Sequence, residues 1–113
     1  MEAQATGKYI RISPHKVRRV VDLIRGRDIQ EALAVLKFTP SPAARAVEKV
    51  VKSAAANAEH NYEMTRDDLV VSRATVDRGP SVRRVQSRAR GRADVIRRHS
   101  SHITVVVGEK SGA

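Results

Sequence analysis

The chain has no cysteine and no tryptophan, and phenylalanine and tyrosine together supply only 3% of its 113 residues. Disulfides and thiolate metal sites are therefore excluded, and a reducing compartment is the natural setting. A core without aromatics has to come from Val, Ile, Leu and Ala, within an apolar share of 41%. No apolar run approaches the ~20 residues that span a bilayer. Nor does the start of the chain follow the signal-peptide pattern of basic start, apolar middle and small-residue cleavage site. The chain reads as cytosolic, with no membrane partner, and its length predicts one domain over 1–113. Enzyme signatures are absent as well: there is no Walker loop, no paired-glycine nucleotide fingerprint and no nucleophile elbow. His99 and His102 lie close in sequence, but no cysteine or well-placed carboxylate completes a metal set, and strand alternation would turn them apart. Ser100 and Ser101 have no base other than those histidines and no oxyanion site. The expectation is a protein that is not an enzyme and needs no cofactor and no metal.

What the sequence has in excess is positive charge. Lys and Arg number 22 against 12 acids, a net charge of +10. Such an excess repels itself in a folded chain, and the usual compensation is a polyanion. Most of the basic residues are Arg, which fork onto phosphate oxygens. A GC-rich genome produces the same enrichment, so the Arg bias alone decides nothing. Position along the chain is more informative. Residues 8–27 carry Lys8, Arg11, Lys16, Arg18, Arg19, Arg25 and Arg27 against Asp22, a sum of 7 − 1 = +6. Residues 78–99 carry Arg78, Arg83, Arg84, Arg88, Arg90, Arg92, Arg97 and Arg98 against Asp94, a sum of 8 − 1 = +7. The remainder then sums to −3, since 10 − 6 − 7 = −3. A protein tuned only for solubility would intersperse its signs. Two basic blocks on a near-neutral body mark two places where a polyanion is touched, with a merely solvated basic face as the alternative for the first.

Local patterning predicts the elements. Residues 2–12 alternate as a strand, with Lys8, Ile10 and Ile12 on one side and Tyr9 and Arg11 on the other. Ser13-Pro14 is a helix start, Ser capping and Pro taking the first helical position. Val17, Val20, Val21 and Ile24 then form an amphipathic stripe, and Gly26 suits the position just past the helix end. Lys16 stands where a capping box often has Glu, which suits a bound phosphate near the first helix's N-terminus. Asp28 opens a second helix with Ile29, Ala32, Leu33 and Leu36 on its apolar side. Thr39-Pro40-Ser41-Pro42 ends it and caps a third, whose buried side is Ala43, Val47, Val50, Val51, Ala54 and Ala58. Residues 69–77 and 102–107 read as strands. The expected fold class is α+β: a three-stranded antiparallel sheet packed on three helices.

Between the last two strands lie about two dozen residues, 78–101, where a hairpin needs about two to five. With eight arginines and little apolar content, this insertion cannot bury itself. Run out and back as a ribbon, about ten residues each way would reach about 30 Å. Gly91 within Arg88-Ala89-Arg90-Gly91-Arg92 would permit a tight reversal. Such an arm makes physical sense between phosphate-lined walls. A loop with no structured role is the alternative. Sequence-specific DNA binding is disfavoured, because Gln30, Glu31 and Lys37 on the outer side of the second helix are not a base-reading set. An RNA-recognition-motif sheet is disfavoured because the strands lack its stacking aromatics.

Several segments match a known family. They are Ile12-Ser13-Pro14-His15-Lys16-Val17-Arg18, Asp22-Leu23-Ile24-Arg25-Gly26, Ser53 to Asn61, Val76-Asp77-x-Gly79-Pro80, Arg88-Ala89-Arg90-Gly91-Arg92-Ala93-Asp94, and Ser101-His102-Ile103-Thr104-Val105-Val106. Together they resemble the bacterial form of large-ribosomal-subunit protein twenty-two, over roughly residues 3–110. The resemblance implies an α+β body on the surface of the large subunit, bound to large-subunit rRNA and beside neighbouring ribosomal proteins. It also implies an arginine-rich β-hairpin extension, about 78–101, that lines the nascent-peptide exit tunnel and meets the nascent polypeptide. Roles in assembly and proximity to the macrolide site follow from the same likeness. Carried onto this chain, the tunnel tip falls on Arg88, Ala89, Arg90, Gly91, Arg92 and Ala93. The rRNA contacts fall on Lys8, Arg11, Ser13, Lys16, Arg18, Arg19, Arg25 and Arg27, and on Arg78, Arg83, Arg84, Arg97, Arg98, His99 and His102. Two departures stand out. Arg78 replaces a usual acid, and Gln86-Ser87 stands where proline commonly precedes the arginines. A free nucleic-acid-binding regulator or chaperone is the rival reading.

Overall fold

Apolar period decides each element. Val17, Val20 and Val21 give α1 (Pro14–Val21) one buried face, and Ile29, Ala32 and Leu36 do the same for α2 (Ile29–Phe38). In α3 (Pro42–Tyr62) the predicted side is buried together with Ala44 and Ala55. Ser41 Oγ accepts from the Ala43 N–H at 3.2 Å, closing the α3 start. The strands are β1 (Glu2–Ile10), β2 (Leu69–Arg78), β3 (Val82–Ser87), β4 (Ala93–Arg98) and β5 (Ser101–Glu109). A short 3₁₀ turn, Arg66–Asp68, precedes β2. The computed structural model describes residues 2–79, 82–87, 93–98 and 100–109.

β1, β5 and β2 form one antiparallel sheet in that spatial order. Its inward side chains, among them Ala3, Val71, Ala74, Val76, Ile103, Val105 and Val107, share one buried cluster with the three helices. The other face carries Gln4, Thr6, Thr75, His102 and Thr104, and among the described residues no helix lies over it. Among the described residues β3 and β4 pair only with each other, in a separate antiparallel ladder running from Val82 opposite Arg98 to Ser87 opposite Ala93. Ala93, expected at the tip, is therefore a strand residue. Arg88 to Arg92 and His99 lie outside the described residues.

Three local expectations are corrected. Ser13 occupies the N-cap of α1, but its side chain makes no capping bond. Its carbonyl accepts from the Lys16 and Val17 N–H groups at 3.1 and 3.3 Å, so the backbone meets the need that Oγ would have met. α1 ends at Val21 rather than beside Gly26. A tight run of turns continues from Leu23 N–H to Val20 O and from Ile24 N–H to Val21 O. Gly26, at φ 77°, instead bonds across to the Val71 carbonyl of β2 at 2.9 Å. In β1 the alternation breaks: the register with β5 shifts between Gly7 and Ile10, and Tyr9 sits at φ 58°. The bulge adds a residue, so Lys8 stays exposed while Ile10 and Ile12 turn toward the core.

Close approach replaces aromatic bulk. A Cβ added at Gly7 would lie 2.8 Å from Val50 Cγ2, so β1 and α3 meet where one residue has no side chain. Asn57 Nδ2 donates to the Gln4 carbonyl at 2.9 Å along the same contact. Gly7→Ala should cost about 1–2 kcal/mol by overpacking. Val50→Ala should cost about 2 kcal/mol by removing buried carbon. The double variant should cost less than the sum by about 0.5 kcal/mol or more, because the new methyl enters the space the valine leaves. Urea titration followed by circular dichroism measures all three; strict additivity would separate the two residues energetically.

Candidate nucleic-acid interface

The two basic blocks are far apart in sequence, yet they meet at one end of the three-stranded sheet. Ile10, Ser101 and Arg78 lie in one row across β1, β5 and β2. The fully buried Ser101 donates its Oγ hydrogen to the Ile12 carbonyl at 2.5 Å, which ties the strand after the insertion to the segment leading into α1. Gly79 N–H donates to the Ser100 carbonyl at 2.9 Å, joining the two sides of the insertion's base. A Cβ on Gly79 would crowd Ser100 Oγ, so the two strands approach closely here and the serine hydroxyl would have to turn aside for a larger residue. Ser100 and Ser101 thus act as structural residues of this junction.

From this end the first block runs along β2, one of the sheet's two edge strands. Arg18 Nη2 donates to the Val76 carbonyl at 3.1 Å, and Arg25 Nε donates to the Ala74 carbonyl at 3.0 Å. Gly26 N–H and the Arg27 carbonyl then pair with Val71, both at 2.9 Å. The outward backbone groups of an edge strand invite pairing with other chains, and here arginines and a turn cover them. Arg27 Nε donates to the Leu23 carbonyl at 2.6 Å and stands 3.9 Å from Glu31. Arg25 also bonds Asp22 at 2.5 Å; both side chains are about half exposed or more, so this ion pair adds little stability. A guanidinium has five N–H donors, so Arg18, Arg25 and Arg27 fold the chain and still offer donors outward.

The other candidates of the first block are placed for external contact. Lys8, Arg11, Lys16 and Arg19 are exposed, and Ser13 is half-buried at the start of α1. Arg78 is exposed at the end of β2. Arg83 and Arg97 are cross-strand partners in the β3–β4 ladder, with Arg84 opposite Ile96 and Arg98 opposite Val82. His102 is half-buried on β5, its Nδ1 accepting from the Tyr9 N–H at 3.2 Å. Tyr9 was absent from the sequence candidates, although its place between Lys8 and Arg11 was a signal for it.

The structure thus joins a small α+β body, a basic edge and a two-stranded ladder whose sequence is rich in arginine. The sequence model described as Ribosomal protein L22p/L17e matches residues 5–108. A protein named large ribosomal subunit protein uL22 from Desulforamulus reducens is 63% identical over 110 residues, covering 97% of each chain. Its namesake from Heliobacterium modesticaldum is 60% identical over 108 residues, covering 96% of this chain and 77% of its own. That from Desulfitobacterium hafniense is 59% identical over 109 residues, covering 96% of each. The chain belongs to the ribosomal protein L22p/L17e family, whose members are structural and non-enzymatic.

Division of labour among the arginines can be read from stability. Arg25→Ala removes a bond to the β2 edge and should lower stability by about 1 kcal/mol. Arg19→Ala, on the exposed side of α1, should stay within about 0.5 kcal/mol. Thermal and urea denaturation of the two variants check this; equal costs would mean that Arg25 contributes nothing to the β2 edge.

Proposed function

We infer that the chain is a structural constituent of the large ribosomal subunit, a reading its family membership supports. We propose that it binds large-subunit rRNA through the two basic blocks, aids assembly of the subunit, and reaches the nascent-peptide exit tunnel with the segment 78–101. The observation that carries this reading is the junction of the blocks. The Ile10–Ser101–Arg78 row puts Lys8, Arg11 and the start of α1 beside the base of the arginine-rich insertion. A single RNA fold can therefore engage both, each contact releasing counterions. Neighbouring ribosomal proteins complete the setting, and the protein works in the cytoplasm within the large subunit. Arg88, Arg90 and Arg92 would face the tunnel, where fixed positive charge meets the nascent polypeptide.

Two measurements test the proposal. Lys16→Ala with Arg19→Ala should weaken binding to large-subunit rRNA and reduce the slope of log affinity against log salt, by somewhat under one unit per lost phosphate contact. An unchanged slope would make the outer side of α1 a solvated face.

The ladder makes a separate prediction. β3 and β4 form a sheet of their own, apart from β1, β5 and β2. Deleting 83–97 and closing with a short glycine-containing turn should leave the body folded and able to enter large subunits, while shifting nascent-chain stalling and the macrolide response. Incorporation and stalling-peptide release are compared with the parent. Failure of the deleted protein to enter particles would make the insertion an assembly anchor first, and the division between body and arm would be wrong.

A further inference from the structure

The geometry points to Tyr9 and His102, on the helix-free face of the sheet, as a stacking site for one unpaired nucleotide of a single-stranded RNA segment. The inference rests on the RNA-binding reading above and adds a residue and a mode of contact to it.

The argument starts from an anomaly. Tyr9 has φ 58°, a left-handed conformation that is strained for a bulky L-residue. Burial of its own ring does not account for it, since Tyr9 is 65% exposed, although the same bulge turns Ile10 toward the core. The conformation belongs to the bulge in β1, and its effect is to change which way a side chain is aimed. Without the extra residue, continued alternation from Ala3, Ala5 and Gly7 would turn position 9 toward the helices. With it, the ring stands against His102, centroids 5.1 Å apart and planes at 85°. The Tyr9 N–H donates to His102 Nδ1 at 3.2 Å, so backbone and ring are fixed by the same imidazole. His102 is in turn closely backed: a Cβ on Gly79 would lie 3.3 Å from its Cε1 and Nε2.

An edge-to-face contact of this kind leaves most of the tyrosine ring open to solvent, held rigid at little further entropy cost. Nucleic-acid bases stack on such a ring regardless of sequence, provided they are unpaired. Charge sets the occupant. Lys8 and Arg11 flank the ring and are exposed, where the backbone of a bound nucleotide would bring phosphates. Thr6, Thr104 and Thr75 continue the face as one row across the three strands, and Thr6 and Thr104 hydroxyls lie 3.3 Å apart. Asp77, exposed and opposite His102, faces the same side and disfavours a phosphate there, which places the phosphates toward β1.

The test uses tyrosine emission from the full chain. Tyr62 is the other tyrosine and lies half-exposed at the end of α3, so Tyr62→Phe leaves Tyr9 as the sole reporter. A short single-stranded RNA of mixed sequence should quench that emission, and the same strand annealed to its complement should not. Tyr9→Leu should weaken single-strand binding by about tenfold or more, whereas Tyr9→Phe should bind as the parent does. Both should keep the parent's salt slope, because no charge is removed. Unquenched emission from a parent that binds, or equal affinities for the Leu and Phe variants, would overturn the stacking site and leave the broader reading intact. Absence of any binding to either RNA would overturn that broader reading itself. The quenching experiment retains Tyr9, so it stands even if Tyr9→Leu folds poorly.

Discussion

A core without aromatic bulk can be closed only by bringing backbones together, and the contact of α3 with β1 is where this chain does so. Alanine and valine fill the inward face of α3, and the facing strand contributes Ala3, Ala5 and Gly7. Small side chains bury less area each, so the stabilisation depends on many contacts at normal packing density rather than on a few large anchors. The same constraint fixes the sheet's register. Gly7 has to stand opposite Val50, and the Asn57 bond to Gln4 holds the strand there. A slip by one residue would put Lys8 against α3. With β1 set, β5 pairs to it, β2 pairs to β5, and the base of the insertion is positioned by Ser101.

Positive charge in this chain is part of the folding solution. β2 is an edge strand, and its outward carbonyls need donors. Arg18 and Arg25 supply them from α1 and the turn that follows, and Gly26 and Arg27 complete the edge through backbone pairing. An arginine that seals an edge keeps further N–H groups for a partner, and a lysine at the same place would offer fewer donors and no planar fork. Packing these guanidiniums against the edge is compensated in part, because Arg18 and Arg25 form charge-assisted hydrogen bonds to its carbonyls.

The helices and the sheet were legible because their signals repeat. Val17, Val20, Val21 and Ile24 recur with the helical period, and each of them is buried. The α3 stripe and the strands beginning at Leu69 and ending with Val107 were equally plain. What the sequence hid were single-residue events. Gly26 looks like a helix terminator, yet it serves a bond to Val71 that only the tertiary structure creates. The Tyr9 bulge leaves no periodic trace, because one inserted residue inverts the alternation for just the few positions that follow. At the interface, the basic residues could be named from charge alone. That Arg18 and Arg25 also bind β2, while Arg19 and Lys16 stay on the exposed side of α1, depends on how α1 lies against an edge that sequence does not reveal.

These single-residue features cluster where the chain leaves the sheet and returns. Tyr9 in its left-handed turn, Gly79 packed closely against Ser100 and His102, and the buried Ser101 all lie at the end of the sheet that carries the insertion. Each restricts the backbone locally, and each is held by residues from another strand, so none is stable in isolation. An end built this way resists rotation of the insertion's base relative to the body, because turning it would break the Ser101 bond to Ile12 and the Tyr9 bond to His102 together. Direction is what a basic ribbon needs from its support. Like charges along its sequence repel, and among the described residues its strands pair only with each other, so its direction is set at the base, by the body.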